Sequence, residues 1–147
     1  MDKAGPIIII DDDQDDQDLL RELFTELNLQ NEVLFFPEGE SALNYLSNPA
    51  IKPFLIISDV KMPRIDGFEL KKEVATRSEY SKITPFLFFT TGSTEQALNA
   101  AYVNSVQGIF QKPVKYNDWK ETINIIVQYW ANCMAPSYPS LHASANL

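Results

Sequence analysis

The chain has 147 residues, 20 acidic against 12 basic side chains, a formal net charge of −8, and an ordinary globular balance of 45% hydrophobic and 22% charged residues. That length suits one domain around one core, and the acidity excludes nucleic acid as a direct partner, because a phosphate backbone calls for clustered Lys and Arg. The single Cys133 excludes a disulfide framework, and no apolar run suits a signal peptide or a bilayer span, so a cytoplasmic protein with no membrane partner is expected.

Strand and helix signals alternate five times along the chain. Ile7–Ile10 reads as the first strand. Gln14–Leu27 reads as the first helix, with Leu19, Leu20, Leu23, Phe24 and Leu27 on one stripe. Val33–Phe36 is the second strand, and a short helix over Glu40–Leu46 stops before Asn48-Pro49. Phe54–Ser58 is the third strand, from which a loop carrying Met62-Pro63 and Asp66-Gly67 leads to a helix over Phe68–Thr76. Pro85 introduces the fourth strand, Phe86–Phe89, and the following helix covers Thr94–Asn104, with Ser93 and Gln96 spaced as a capping box. Gly108–Gln111 is the fifth strand. The last helix, Tyr116–Ala131, carries an apolar stripe of Trp119, Ile123, Ile126, Val127 and Trp130. Beyond Ala131 the chain turns rich in Pro, Ser and Ala and loses every Asp, Glu, Lys and Arg, so one domain over 1–131 and a flexible tail over 132–147 are expected.

Short runs this apolar suit strands buried on both faces of a parallel sheet. Alternation with helices implies right-handed crossovers and helices on both faces. Five such strands predict an α/β, flavodoxin-like doubly wound sheet of order 2-1-3-4-5 with five helices. In open parallel sheets the ligand site lies beyond the carboxyl ends of the strands. Asp11 and Asp12 follow the first run, Asp59 the third and Thr90 the fourth, while Lys112-Pro113 follows the fifth. These residues are therefore expected to meet on one edge.

Carboxylates gathered in one pocket repel, so they protonate, splay into water or bind a cation. Mg²⁺ suits them, since it takes a few carboxylates, keeps waters and leaves room for phosphate oxygens. Lys112 would pair with carboxylates at rest and with a phosphoryl group when one is present, and the Thr90 hydroxyl could donate to a phosphoryl oxygen. Asp59 could act as a carboxylate nucleophile, giving an acyl phosphate. For Asp13, Asp15, Asp16 and Asp18 the plainer account is loop chemistry and the helix macrodipole.

Four segments carry a family resemblance: Ile10-Asp11-Asp12, Ser58 to Leu70 around Asp59 and Lys61-Met62-Pro63, Phe89-Thr90-Thr91, and Lys112-Pro113. Together they resemble a response regulator receiver domain of two-component signalling, of the single-domain type similar to the chemotaxis response regulator. The resemblance covers residues 7–131. It implies that Asp59 accepts a phosphoryl group from a sensor histidine kinase or phosphotransfer protein. It implies Mg²⁺ held by Asp12, Asp59 and the Lys61 backbone carbonyl, with Asp11 assisting through water. Thr90 and Lys112 would contact phosphoryl oxygens, and Lys112-Pro113 would be a cis peptide. Slow loss of the phosphoryl group to water is part of the same expectation.

Two positions depart from the family's pattern. The aromatic expected three residues before the lysine is Ile109, while Phe110 falls on the opposite face of its strand. Thr91 stands where a smaller residue is usual, and its bulk is expected to slow water's access to the acyl phosphate. A haloacid dehalogenase-type phosphatase also matches Asp11-Asp12-Asp13, but it leaves the Asp59–Gly67 segment without a role. An EF-hand loop fails because Asp16 stands where Gly must turn. A receiver fold serving as a phosphorylation-independent interaction module remains the alternative. With no output domain, signalling is expected through contacts with an unknown downstream protein. The surface of the fourth helix, fifth strand and fifth helix, with Gln107, Tyr116, Asp118 and Lys120, is the expected readout and a possible homodimer face; Tyr129 is expected to be an exposed aromatic anchor.

Overall fold

The computed structural model of the chain describes residues 1–92 and 94–136. Its elements in order are β1 (Ile7–Ile10), α1 (Gln14–Leu27), β2 (Val33–Phe36), α2 (Gly39–Leu46), β3 (Leu55–Asp59), α3 (Gly67–Arg77), α4 (Glu79–Ile83), β4 (Phe86–Thr90), α5 (Glu95–Val103), β5 (Gly108–Gln111) and α6 (Tyr116–Asn132). The strands form one parallel sheet of order β2-β1-β3-β4-β5, as the sequence predicts.

Side-chain alternation along each strand divides the core in two. Ile7, Ile9, Leu55, Ile57, Leu87 and Phe89 face α1 and α6, where they meet Leu20, Leu23, Trp119 and Ile123. Ile8, Ile10, Ile56, Phe86 and Phe88 face the other way, against Ala42, Leu43, Leu70, Val74 and Ala101. Both faces of the three central strands are buried, which is why those strands read as unbroken apolar runs rather than alternating ones.

Several local expectations change. Among the described residues there are six helices, not five, because α4 adds a single turn capped by Ser78, whose hydroxyl accepts from the Ser81 N–H. Five residues are too few to display a helical period, so no pattern marks that helix in the linear chain. The N-cap of α5 is Thr94, whose hydroxyl accepts from the Ala97 N–H, in place of the expected box from Ser93 to Gln96; Ser93 itself lies outside the described residues. The Lys112-Pro113 peptide is trans, not the expected cis. The two isomers before proline differ by only about 0.5–1 kcal/mol, so local context decides between them. Of the expected tail, residues 137–147 lie outside the described residues, and α6 reaches Asn132.

Gly67 opens α3 at a close approach between backbones. Its N–H donates to the Val60 carbonyl at 2.8 Å, folding the β3–α3 loop back on the end of β3. A Cβ there would lie 2.5 Å from the Asp59 carbonyl oxygen and 2.7 Å from the Phe88 ring. Neither neighbour can retreat, since β3 is pinned in the sheet and Phe88 is fully buried. Gly67→Ala is expected to destabilise the protein by roughly 1–3 kcal/mol, the usual cost of overpacking, read as a lower urea midpoint with an unchanged slope.

Candidate functional site

Parallel pairing brings the carboxyl ends of neighbouring strands level. Ile10 pairs with Ser58, Asp59 with Phe89, and Thr90 with Gln111. Two backbone bonds carry the ladder one residue further: Asp11 N–H donates to the Phe36 carbonyl at 3.0 Å, and Lys112 N–H to the Thr90 carbonyl at 2.8 Å. Asp11, Asp59, Thr90 and Lys112 therefore stand at adjacent strand ends. By alternation, Asp11 continues the face of Ile7 and Ile9, Asp59 that of Leu55 and Ile57, and Lys112 that of Phe110. All three project toward the side covered by α1 and α6.

The centre is the Lys112 ammonium. Its Nζ donates to Asp16 Oδ2 at 2.7 Å and to Asp59 Oδ2 at 2.9 Å, and lies 2.9 Å from Asp11 Oδ2. The Lys112 side chain is only 7% exposed, against 5% for Asp11, 11% for Asp59 and 23% for Asp16. Burial alone lowers the lysine's proton affinity, but the bonds to Asp16, Asp59 and Asp11 more than reverse this and hold it above its ordinary value. Burial acts the other way on Asp11 and raises its carboxyl to about 6, against the opposing pull of the Asp13 N–H and of Lys112.

Asp11, Asp12 and Asp59 each offer an oxygen within 4.8 Å of the others, a set able to share one cation. Asp12 is the exposed member and gives the group access to solvent. Hard divalent cations take all-oxygen sets, so these donors fit one. Thr90, the last residue of β4, is 4% exposed. Lys61 follows Asp59 by two residues in the β3–α3 loop, its side chain exposed between the buried Val60 and Met62.

Asp16 is the residue that sequence reasoning missed. Its place at the start of a helix suggests only loop and dipole chemistry, yet its carboxylate lies on Lys112. Asp13 caps α1 by accepting from the Asp16 N–H at 3.1 Å, and Gln17 Nε2 donates to the Asp11 carbonyl at 2.6 Å, so the first turn of α1 is docked on the site. A lysine 96 positions away leaves no local signal for that pairing. Beneath the acids, Phe110 stacks on Phe89 and Phe89 on Trp119, both at 5.3 Å, while Ile109 packs on the other face.

The expected readout face is only partly as foreseen. Gln107 and Asp118 are exposed, but Tyr116 is half-buried and Lys120 pairs with Glu26 of α1 at 2.8 Å. Exposed apolar side chains there include Leu98, Tyr102 and Val103 on α5, Val114 before α6 and Ile125 on α6, with Tyr129 exposed on α6 as expected. No helix among the described residues is long and apolar enough to cross a membrane.

Comparison with known proteins agrees in family and fold. The family model for the response regulator receiver domain matches residues 7–124. The probable methanogenesis regulatory protein FilR2 of Methanothrix harundinacea is 27% identical over 128 residues, covering 84% of this chain and 82% of that protein. The crystal structure of the phosphorylated cyanobacterial phytochrome response regulator RcpA superposes with a TM-score of 0.79 at 23% identity, over 90% of this chain and 99% of that one. The Mn²⁺-bound form of response regulator Rcp1 does so with a TM-score of 0.76 at 22% identity, with the same coverage.

The raised Asp11 carboxyl has a sign that can be measured. Its folded value of about 6 exceeds the ordinary 3.8, so this group favours the fold fully below the lower value, and that contribution is lost as pH rises through about 6. In cation-free protein the ¹³C shift of the Asp11 carboxyl is expected to titrate near pH 6. Lys112→Met, which removes an opposing positive charge, should move that midpoint higher.

Proposed function

We propose that this chain, which belongs to the response regulator receiver domain family, accepts a phosphoryl group on Asp59 from a sensor histidine kinase or phosphotransfer protein and signals through altered protein contacts. The observation that carries this reading is the buried Lys112 ammonium 2.9 Å from Asp59 Oδ2, beside a carboxylate group able to share a cation. An ordinary surface lysine would stay solvated, whereas this one is held at the nucleophile.

In the proposed transfer, an Asp59 carboxylate oxygen attacks the phosphorus of the donor phosphohistidine. A P–O bond forms, the P–N bond breaks, and the imidazole leaves with the bonding pair and takes up a proton. Little covalent assistance is needed from elsewhere in the protein, because phosphoryl transfer depends mainly on positioning and on neutralising oxygen charge. Lys112 exchanges carboxylate oxygens for phosphoryl oxygens, and the Thr90 hydroxyl donates to another. Asp11, Asp12 and Asp59, with the Lys61 carbonyl, would hold a divalent cation, which we assign as Mg²⁺. When bound, that ion supplies positive charge to the phosphoryl oxygens. Metal binding by the similar Rcp1 and phosphorylation of the similar RcpA support the reading by analogy.

The position of Ile109 favours a second reading, a receiver fold that binds partners without phosphorylation. It takes the place of the aromatic that switches in the family, and the neighbouring Phe110 is committed to the stack with Phe89. Intact-mass measurement separates the two. With Mg²⁺ and acetyl phosphate, the protein is expected to gain one phosphoryl group, and to gain none with the cation chelated or as Asp59→Asn. If neither acetyl phosphate nor sensor kinases load the parent protein, the second reading stands. Thr91, exposed just beyond Thr90, is expected to shield the acyl phosphate. Thr91→Ala should therefore lose its phosphoryl group several-fold faster, followed by mass after removal of the donor; equal rates would remove that role.

A further inference from the structure

Asp16 stands outside the group that can share a cation, yet it contacts Lys112 as closely as Asp11 and Asp59 do from within it. A lysine ammonium has three N–H donors. Here Nζ donates to Asp16 and Asp59 and pairs with Asp11 at 2.9 Å. On the functional reading above, Asp11 and Asp59 change partners as the site loads: both belong to the cation set, and Asp59 becomes esterified. Asp16 has neither duty. Its backbone is fixed by the α1 cap, its side chain is 23% exposed, and its oxygen is 2.7 Å from Nζ.

We propose that Asp16 is a positioning residue that holds the Lys112 ammonium at the phosphoryl site, from the empty state through the acyl phosphate, independently of the cation. The assignment rests on the phosphoacceptor reading of the same site. It makes the first turn of α1 a working part of the centre, because a lysine released by Asp11 and Asp59 would otherwise regain its rotamer freedom at the moment its charge is needed. An acid placed there only for the helix dipole would act on α1 and be indifferent to Lys112.

Two variants separate these roles. Asp16→Asn keeps the shape and the α1 cap, which uses the backbone N–H of residue 16; Asp16→Glu keeps the charge. The first readout needs neither cation nor phosphoryl donor: acylation of Lys112 by a small amine reagent in cation-free protein, followed by peptide mass. Lys112 is expected to react several-fold faster in Asp16→Asn than in the parent, with Asp16→Glu restoring protection. The second is the rate of phosphoryl gain from acetyl phosphate at saturating Mg²⁺. It is expected to fall roughly tenfold in Asp16→Asn, the scale of one hydrogen bond to a charged group, and to recover in Asp16→Glu. Unchanged Lys112 reactivity and an unchanged rate in Asp16→Asn would overturn the proposal. If neither acetyl phosphate nor a sensor kinase loads the parent itself, the acceptor reading falls and takes this role with it. If the parent gains one and Asp16→Asn keeps pace, only the role of Asp16 falls.

Discussion

One ammonium placed among carboxylates is the interaction on which the rest of this site depends. Asp11, Asp16 and Asp59 reach Lys112 within 2.7–2.9 Å, and Asp12 lies with Asp11 and Asp59 in the same group. An isolated buried charge is costly, so neither the lysine nor the acids would sit at these strand ends alone. Together they are tolerable but unbalanced, with more negative charge than one lysine cancels. Such a centre has affinity left for positive charge, and its lysine is already placed for an incoming anion. Burial raises the Asp11 carboxyl even against the pull of Lys112.

The sheet makes this crowding possible. Parallel strands end level, and the two-residue period turns Asp11, Asp59 and Lys112 to one face. That face is covered by α1, so the first turn of α1 arrives with Asp16 in reach of the lysine. On the opposite face, Gly67 lets α3 begin against the Asp59 carbonyl with no side chain intervening. Rigid packing on both sides then holds the carboxylates in fixed positions.

The aromatic arrangement sets this chain apart from the pattern its family resemblance suggests. Phe110, Phe89 and Trp119 stack in a column beneath the acids, on the α1–α6 side. Ile109 takes the position facing α5, and the exposed large apolar side chains of that helix are Leu98, Tyr102 and Val103. Aromatic rings pack on both faces of the sheet near Asp59, since Phe68 and Phe86 also meet Phe88 edge-on on the side facing α3.

Much of this was legible in the linear chain. Ile7–Ile10 and Phe86–Phe89 are short, wholly apolar runs that suit strands buried on both faces, and their alternation with amphipathic helices pointed to the parallel sheet of order 2-1-3-4-5 that the structure has. The order in turn brought Asp11, Asp59, Thr90 and Lys112 to one edge, because a strand's carboxyl end is defined by sequence direction alone. Short-range geometry was less visible: α4 has too few residues to show a period, and the cap of α5 fell to Thr94 one position beyond the expected Ser93. Only the tertiary structure decided the trans peptide at Lys112-Pro113 and the capture of Lys112 by Asp16. The periods of strand and helix are local and can be read residue by residue, whereas the meeting of a helix turn with a strand end 96 positions away depends on how the whole sheet packs.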